Sequence, residues 1–357
     1  MLRQTITIKD IARELNISVS TVSRALRDAF DVSLETKQMV LEKAKELNYK
    51  PNYNARGLSQ GKTNNIGVII PFITNYYFST VITGIQKIAY EYNYNIVLYL
   101  TNDAEERECQ IMNNLILSGL DGILISTCAS NYDHIHKIMD KGVPVVFFDR
   151  TNSLNASKVK QDDYNGAFEA TSHLISQGFT KIAHITGPKD QMFTQNRLNG
   201  YLNALEHHNL PVRKKWIIHN GFSQECGAQD LQKLMAKSKK PEAIFAVNDR
   251  KAIGAMVELK QQNIQIGKDF GVVGFTNDPI CTLITPTLTT VSESAFEIGS
   301  IACELLLKHI QKENLIPKEV ILPGELIIRE STLFPYTTLF RSSSMRSSTV
   351  VKKADLP

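Results

Sequence analysis

The sequence predicts a small all-helical domain at the N-terminus, followed by a larger α/β core of two doubly wound, parallel-sheet subdomains. Two patterns lead to this fold class. In the first 50 residues, apolar side chains recur at helical spacing behind residues that cap helices. From residue 65 onward, short apolar runs alternate with amphipathic stretches, a pattern typical of parallel sheets that helices cover on both faces.

The first helix is expected to begin after Thr7, because Thr7 and Asp10 have the spacing of a capping box. Its expected core positions are Ile8, Ile11, Ala12 and Leu15. Residues 16–18 then break the helix, and Ser18 is a candidate N-cap for a second one.

The second helix, within NISVSTVSRAL (16–26), carries a face of short polar side chains and one arginine. Its apolar stripe is expected to be Val19, Val22, Ala25 and Leu26, and its polar face Ser20, Thr21, Ser23 and Arg24. Short side chains permit close approach to base edges in the DNA major groove, and an arginine offers the bidentate donors that suit guanine. The face therefore predicts DNA recognition; the alternative is an ordinary solvated helix.

A third helix, capped by Ser33, completes a helix-turn-helix domain over residues 1–50. Its inward-facing residues are expected to be Leu34, Met39 or Val40, Ala44 and Leu47. Residues 1–62 contain 11 Lys and Arg against 7 Asp and Glu, whereas residues 63–332 contain 25 against 28. A basic head on a slightly acidic body predicts that the head contacts a polyanion.

Residues 51–63 are predicted to be a hinge helix or linker. The stretch NYNARGLSQGK (52–62) has few apolar side chains and two glycines. Such a composition favours a segment that becomes ordered on binding a partner.

The core is predicted to span residues 64–332. Strands are expected at 66–70, 95–100, 121–126, 144–148, 181–186, 242–247 and 270–275, and helices near 77–92, 104–117, 164–177, 195–208, 249–262 and 295–312. This length suggests two subdomains, roughly 64–162 plus 293–322 and 163–292 plus 323–332. Ligands of such folds bind beyond the carboxyl ends of the strands.

Several stretches resemble the lactose-repressor (LacI/GalR) family of bacterial transcription regulators. They include TVSRAL in the second helix, ELNYKPNYNARGL at the hinge and IGVIIP at the first strand. The likeness continues through NDRKAIGA (248–255), PTLTTV (286–291) and LIIREST (326–332), so it runs from Thr7 to Thr332. The resemblance implies a core like a periplasmic sugar-binding protein, fused behind a DNA reader and working as a dimer or a pair of dimers.

The resemblance also implies which residues contact DNA. The base-reading positions are Val19, Ser20 and Arg24, the phosphate-contacting positions are Thr7, Ser18, Thr21, Ser23 and Asn52, and the hinge contributes Ala55 and Leu58. Leu58 occupies the position of an apolar wedge, which in other proteins enters the minor groove and kinks flexible base steps. The alternative is that Leu58 covers the core below it.

Between the subdomains the resemblance implies an effector cleft. Its expected residues are Phe72, Asp149, Arg197, Phe222, Asn248 and Thr276. Arg197 is expected to clamp the ligand and Phe222 to stack on it, whereas Asp249 is expected to cap the next helix.

The expected effector is carbohydrate-like, with one departure from the family pattern. Many members have two aspartates where this chain has Thr276 and Asn277, which weakens the assignment of a plain monosaccharide. A sugar derivative, a nucleoside-like ligand, a phosphorylated effector and a pocket that is empty or read by a protein remain open.

Other functions fit the sequence less well. GLSQGKT (57–63) is one residue shorter than a P-loop and precedes a strand, and no catalytic arrangement is recognisable, so no enzyme is expected. No signal peptide is recognisable, which argues against a solute-binding protein with a vestigial head. Neither metal nor cofactor is expected, since His134, His136, His207 and His208 are expected to face solvent. Trp216 is expected in the core.

Five widely spaced cysteines favour free thiols in a reducing cytoplasm, and no apolar run approaches the length of a membrane span. We therefore predict a cytoplasmic transcription regulator, a repressor, that binds a pseudo-palindromic operator as a homodimer or tetramer under the control of a small-molecule effector.

The C-terminal residues depart from this pattern. LFPYTTLFRS (333–342) resembles the translation of a sequencing adapter, and the family likeness ends at Thr332. We predict that residues 333–357 form a non-native, disordered tail without function.

Overall fold

The computed structural model describes residues 6–49, 62–116, 118–150, 153–311 and 316–333. The chain forms two compact units, Met1–Thr63 and Asn64–Pro357. The hinge residues Asn52, Ala55 and Leu58 and tail residues 334–357 lie outside the described residues. No helix in the described ranges is both long enough and apolar enough to cross a membrane.

The N-terminal unit, the head, contains three helices: α1 (Ile8–Leu15), α2 (Val19–Ala25) and α3 (Leu34–Glu46). The expected caps are confirmed. Asp10 accepts hydrogen bonds from the backbone N–H and the hydroxyl of Thr7, at 2.9 and 2.7 Å. Ser18 and Ser33 each accept a backbone N–H from the residue three positions later. These contacts satisfy donors that a helix start otherwise leaves unpaired.

The head core contains six buried residues, Ile11, Ala12, Val22, Ala25, Val40 and Ala44. Val40, not Met39, is the buried member of that pair, since Met39 is 40% exposed. Two expected core positions are wrong: Val19 is 38% and Leu34 is 83% exposed. Each is the first residue of its helix and lies at the edge of this small core.

The second unit, the core, contains twelve strands and eight α-helices in its described residues. The strands are β1 (Asn65–Ile70), β2 (Asn95–Leu100), β3 (Gly122–Ile125), β4 (Val145–Phe148), β5 (Ser157–Gln161), β6 (Ile182–Thr186), β7 (Ile217–His219), β8 (Ala243–Ala246), β9 (Gly271–Thr276), β10 (Thr289–Ser292), β11 (Glu319–Leu322) and β12 (Glu325–Ile327). The helices are α4 (Tyr76–Glu91), α5 (Glu105–Leu115), α6 (Asp133–Met139), α7 (Asp163–Ser176), α8 (Met192–His207), α9 (Gln224–Met235), α10 (Asp249–Gln261) and α11 (Ala295–Ile310).

These elements form two six-stranded sheets, ordered β11-β5-β4-β3-β1-β2 and β12-β10-β9-β8-β6-β7. Every pairing is parallel except that of β12 with β10. We call the first sheet with its helices the first lobe and the second sheet with its helices the second lobe. The chain crosses between the lobes after β5, after β10 and after β11. The predicted fold class is confirmed.

All seven expected strands are present, but five others were not expected: β5, β7, β10, β11 and β12. Several of these lie near the sheet edges, where one face is partly exposed and polar residues interrupt the apolar run, as in SKVKQ of β5. Helices α6 and α9 were also not expected, because their sequences are short or rich in polar residues. Trp216 lies in the core as expected and donates to the Lys239 carbonyl at 3.1 Å.

Candidate functional site

The start of α2 carries a cluster of hydroxyl groups. The Ser18 hydroxyl accepts the Thr21 backbone N–H at 3.0 Å and lies 2.7 Å from the Ser20 hydroxyl and 2.8 Å from that of Thr21. Ser18 and Ser20 are exposed, and Thr21 and Ser23 are half-buried. This end of α2 combines exposed hydroxyl groups with the positive dipole end of a helix start, which suits a phosphate.

Arg24 lies in the last turn of α2 and is partly exposed. Its Nη1 donates to Asp31 Oδ2 at 2.7 Å, and Asp31 lies in the loop between α2 and α3. Thr7, which caps α1, and Val19 are also exposed. The described DNA-binding candidates thus lie on one small unit, and most of them are exposed.

The core contains a cavity of about 650 Å³ between its two lobes. Its lining follows the carboxyl ends of strands in both sheets. From the first lobe it includes Phe72 and Thr74 after β1, Asp103 after β2, and Asp149 and Arg150 after β4. From the second lobe it includes Asp190 after β6, Phe222 after β7, and Asn248 and Arg250 after β8. This is where parallel α/β sheets hold ligands.

Of the six expected cleft residues, five line this cavity: Phe72, Asp149, Arg197, Phe222 and Asn248. Thr276 does not; it lines an adjacent cavity of about 140 Å³, which shares Tyr77 and Glu293 with the first. The backbone explains the difference, because Thr276 and Asn277 both have positive φ, at 128° and 62°, so the chain turns sharply as β9 ends.

Arg197, on α8, is almost fully buried and makes three kinds of contact. Its Nε donates to Asp163 Oδ1 at 2.8 Å, its Nη1 to the Val247 carbonyl at 2.6 Å, and its Nη2 to Glu293 Oε1 at 2.7 Å. The guanidinium carbon lies 3.6 Å from the ring centre of Phe275. The ion pairs of Arg197 with Asp163 and Glu293 are therefore buried and not at the surface.

Burial disfavours the ionised form of the two carboxylates that face Arg197, those of Asp163 and Glu293. Burial raises the pKa of Asp163 to about 6 and that of Glu293 to about 7, although the Arg197 guanidinium acts in the opposite direction on both. One cation is thus shared between two buried carboxylates. Asp163 begins α7 just after the first lobe crossing, and Glu293 follows β10 at the second crossing.

Asp149 is a third carboxylate of the cavity, and it is half-buried. It accepts the Ser126 hydroxyl at 2.9 Å and lies 3.9 Å from the Arg150 Nε, while Arg150 itself pairs with Asp103. Burial raises the pKa of Asp149. The buried Tyr77 hydroxyl lies beside this carboxylate without an aligned hydrogen bond. Asp149 also has a positive φ of 61°, an uncommon backbone conformation for a non-glycine residue.

Aromatic rings form one wall of the cavity. Phe193 stacks on Phe222, with ring centres 5.5 Å apart. The guanidinium groups of Arg197 and Arg150 lie 5.2 and 5.7 Å from the centre of the Phe193 ring. An aromatic wall next to polar groups matches the alternating apolar and hydroxyl faces of a sugar ring.

Asn248, not Asp249, caps α10, which corrects our expectation. The Asn248 side-chain oxygen accepts the Lys251 N–H at 2.8 Å, and its amide donates to the Phe222 carbonyl at 3.2 Å. Asp249 is buried and accepts the Thr290 hydroxyl at 2.6 Å and the Asp278 N–H at 2.8 Å. Asp249 therefore joins α10 to β10 and to the loop after β9.

One further expectation concerned histidines. His136, His207 and His208 are exposed, but His134 is buried, with its Nε2 2.9 Å from Glu108 Oε1. Glu108 also accepts the Thr127 hydroxyl and the Cys128 N–H, each at 2.7 Å. Burial opposes ionisation of Glu108, but these hydrogen bonds outweigh it and lower the pKa. His134 was missed because the packing of α6 against α5 creates its partner.

Several residues of the site were not found from the sequence: the cavity residues Tyr77, Arg150, Phe193, Arg250 and Glu293, and Asp163, which bonds to Arg197. Phe193 lies four residues before Arg197, so helical spacing could have placed both on one face. Arg150 directly follows the expected Asp149. Glu293 and Asp163 follow strands that were themselves not expected, β10 and β5.

In the described residues no group of three or more His, Cys, Asp and Glu side chains could hold a metal ion. The five cysteines are free thiols; Cys281 and Cys303 are buried and the other three are partly exposed.

Comparisons with known proteins match both the head and the core. Residues 7–52 match the family described as bacterial regulatory proteins, lacI family, and residues 171–332 match a periplasmic binding protein-like domain. The chain is 33% identical to catabolite control protein A of Priestia megaterium over 87% of this chain and 94% of that protein.

Solved structures of LacI-family regulators also match this chain. A LacI family transcriptional regulator from Enterococcus faecium, with bound ribose, is 30% identical, with a TM-score of 0.68 over 75% of this chain and 98% of that one. The lac repressor dimer bound to operator and an anti-inducer has a TM-score of 0.83 over 92% and 100% of the two chains, at 24% identity.

Proposed function

Because the chain belongs to the LacI family of bacterial regulatory proteins, we propose that α2 reads operator DNA through Val19, Ser20 and Arg24 and that the interlobe cavity binds a carbohydrate effector. Members of this family are transcription regulators whose DNA binding responds to a small molecule, and not enzymes. The observation that carries the proposal is the position of Arg197, which faces the cavity and is bonded to both Asp163 and Glu293.

The proposal for the head rests on its exposed hydroxyl cluster and on Arg24. Ser18, Thr21, Ser23 and Thr7 would contact phosphates and so position α2, while Arg24 would meet a base edge. Asn52, Ala55 and Leu58 of the hinge would add the remaining contacts, with Leu58 as a minor-groove wedge. We assign residues 1–50 to the DNA reader, 51–63 to the hinge and 64–332 to effector binding and dimerisation.

Two heads of a homodimer would read the two halves of a pseudo-palindromic operator. The lac repressor structure, in which a dimer is bound to operator, supports this arrangement. Since the operator lies on the bacterial chromosome, the protein would act in the cytoplasm.

The charges of the cavity favour a neutral, hydroxyl-rich effector over a phosphorylated one. Five acidic side chains line the cavity or pair with its arginines, namely Asp103, Asp149, Asp163, Asp190 and Glu293, against three arginines, Arg150, Arg197 and Arg250. Sugar hydroxyl groups donate to carboxylates and accept from guanidinium groups, whereas a phosphate would meet an excess of negative charge. The aromatic pair Phe193 and Phe222 would stack on the apolar face of the ring.

Arg197 also provides a physical route from effector to DNA. An effector that bonds to Arg197 competes with Asp163 and Glu293, which lie at two of the three lobe crossings. Occupancy would therefore change the relative free energies of the open and closed lobe arrangements, and with them the spacing of the two hinges in the dimer.

Selection of bound sequences from a random duplex DNA pool tests the head. We expect a pseudo-palindrome with a flexible pyrimidine–purine step at its centre. Binding without enrichment of any sequence, both alone and with a mixture of sugars present, would refute the proposal.

Thermal melting tests the cavity, using pentoses, hexoses and disaccharides beside their phosphate esters. A ligand at a hundred times its Kd stabilises the folded state by about 2.7 kcal/mol, so a true effector gives a clear shift in Tm. We expect a shift from a neutral sugar. A shift from phosphate esters alone would show that the charge argument is wrong.

A further inference from the structure

We propose that Asp31 is a positioning residue for base recognition, because its ion pair with Arg24 holds the guanidinium in the orientation that meets a base edge. The inference rests on the proposed function, in which Arg24 reads a base. Asp31 lies seven residues after Arg24, in the loop between α2 and α3, and its Oδ2 accepts Arg24 Nη1 at 2.7 Å.

Fold stability does not explain this ion pair. The Arg24 and Asp31 side chains are 51% and 39% exposed, and ion pairs with this exposure contribute little to stability. Asp31 also adds a negative charge next to the arginine proposed to approach a polyanion, which weakens general attraction to DNA. A carboxylate at this position therefore lowers the affinity for DNA unless it improves the contact of Arg24 with a base.

The loop holds the Asp31 carboxylate in place. The Arg24 carbonyl accepts the backbone N–H groups of Arg27 and Ala29, both at 3.1 Å, so the loop folds back over the end of α2. The Ala25 carbonyl likewise accepts the backbone N–H of Asp28 at 3.1 Å. The loop is thus tied to the end of α2 by backbone hydrogen bonds, and Asp31 is presented to Arg24 from that supported backbone.

Orientation matters for an arginine because its side chain has many rotamers, and fixing them on binding costs entropy. The ion pair engages Nη1 and leaves Nη2 and Nε for a second acceptor. Two adjacent N–H donors are what the O6 and N7 atoms of guanine accept. When Asp31 already holds Arg24, the side chain loses less conformational entropy on binding the correct base. A wrong base does not accept hydrogen bonds from that orientation, so its affinity does not rise.

Asp28 provides a matched control. It lies in the same loop, carries the same charge and also forms an ion pair of 2.7 Å, but its partner is Lys37 and not Arg24. Asp31→Asn and Asp28→Asn therefore remove equal charge from neighbouring positions. Only the first removes the contact with Arg24.

The experiment measures Kd of the full chain for the selected operator, for the same operator with the base pair read by Arg24 replaced, and for unrelated duplex DNA. Both variants should bind unrelated DNA more tightly than the original chain, because each loses a negative charge. D31N should lose about threefold to fivefold in discrimination at that one base pair, and D28N should not. Asp31→Glu should retain most of the discrimination, and D31N should have no further effect once Arg24 is alanine.

Equal discrimination by D31N and D28N would overturn the proposal, as would a loss by D31N that persists with Arg24→Ala. Failure of the proposed function gives a different result, because R24A would then weaken binding to every DNA equally. Circular dichroism melting of each variant verifies that the head remains folded.

Discussion

At the residue scale, the two proposed sites hold their arginines in opposite ways. Arg24 lies on an exposed face with one carboxylate partner, whereas Arg197 is buried between two carboxylates and a carbonyl. Arg24 would keep its Nη1 on Asp31 and take a base as a second partner through Nη2 and Nε. Arg197 cannot lose its partners without leaving charges buried, so an effector must act on the whole cluster.

Replacement of Arg24 by alanine tests the first arginine. We expect R24A to lose about 1–3 kcal/mol of binding free energy at the best operator and to accept other bases at one position. Kd values measured against a set of single-base operator variants give both results. An equal loss on every sequence would make Arg24 a phosphate contact.

Replacement of Glu293 by glutamine tests the buried cluster. The folded-state pKa of Glu293 is about 7, well above its ordinary value of 4.5. Between these values the folded protein holds a proton that the unfolded chain has released, so the free energy of unfolding falls as the pH rises through this range. Glu293→Gln removes this loss. We expect the fall in Tm between pH 5 and pH 8 to be about 2–4 °C smaller for E293Q than for the original chain, a difference equivalent to about 1 kcal/mol.

Melting curves at pH 5, 6, 7 and 8 supply the measurement for E293Q, with Glu297→Gln as the control because Glu297 is exposed in the same segment. E293Q should show a smaller decrease in Tm with rising pH than the original chain or E297Q. Identical pH profiles for the original chain, E293Q and E297Q would show that burial does not raise the pKa of Glu293.

At the element scale, the strand ends and helix starts of the two lobes meet across the cavity. A direct contact joins them: Arg250, in the first turn of α10, donates from Nη2 to the Thr74 carbonyl after β1 at 3.0 Å. This hydrogen bond forms only when the lobes are close, so it contributes to the closed arrangement and to the retention of a bound effector.

We therefore expect Arg250→Ala to weaken effector binding about threefold to tenfold, in line with the loss of one partly exposed charged hydrogen bond. Titration calorimetry with the sugar that stabilises the protein gives the value. Arg213→Ala is the control, because Arg213 lies over Trp216 in the second lobe and does not line the cavity. Equal affinities for R250A and R213A would show that the contact with Thr74 contributes nothing.

At the scale of the whole molecule, the core is one compact unit whose lobes share three crossings of the chain. The last described residues belong to this unit. Thr332 lies within 2.8 Å of both His173 and Thr289, and the Ser331 hydroxyl donates to the Val272 carbonyl at 2.6 Å. The strand β12 and the turn after it therefore complete the second lobe.

A pair of truncations tests where the folded protein ends. A chain ending at Leu333 should keep its Tm and its operator affinity, because Ser331 and Thr332 remain. A chain ending at Arg329 loses these buried hydrogen bonds and should melt several degrees lower. Equal melting of the two truncated chains would refute the role of these residues, and weaker operator binding by the longer one would assign a function to residues 334–357.

The sequence by itself determined the classes of structure in this protein. Caps at Thr7, Ser18 and Ser33 and the apolar runs of the central strands are local signals, because helix starts and buried strands depend on neighbouring residues. The edge strands and the first turns of α2 and α3 were less predictable, since their burial depends on what packs against them. Val19 and Leu34 are exposed for this reason.

Only the tertiary structure decided the chemistry of the cavity. Arg197 meets Asp163 and Glu293, which are 34 and 96 residues away along the chain, and His134 meets Glu108 across two helices. Residues so far apart come together because parallel strands align their carboxyl ends at one edge of each sheet. Desolvation makes an unpaired buried charge costly, so each buried charge has a partner close to it in space. The spacing of residues along the sequence does not show which residues come close in space.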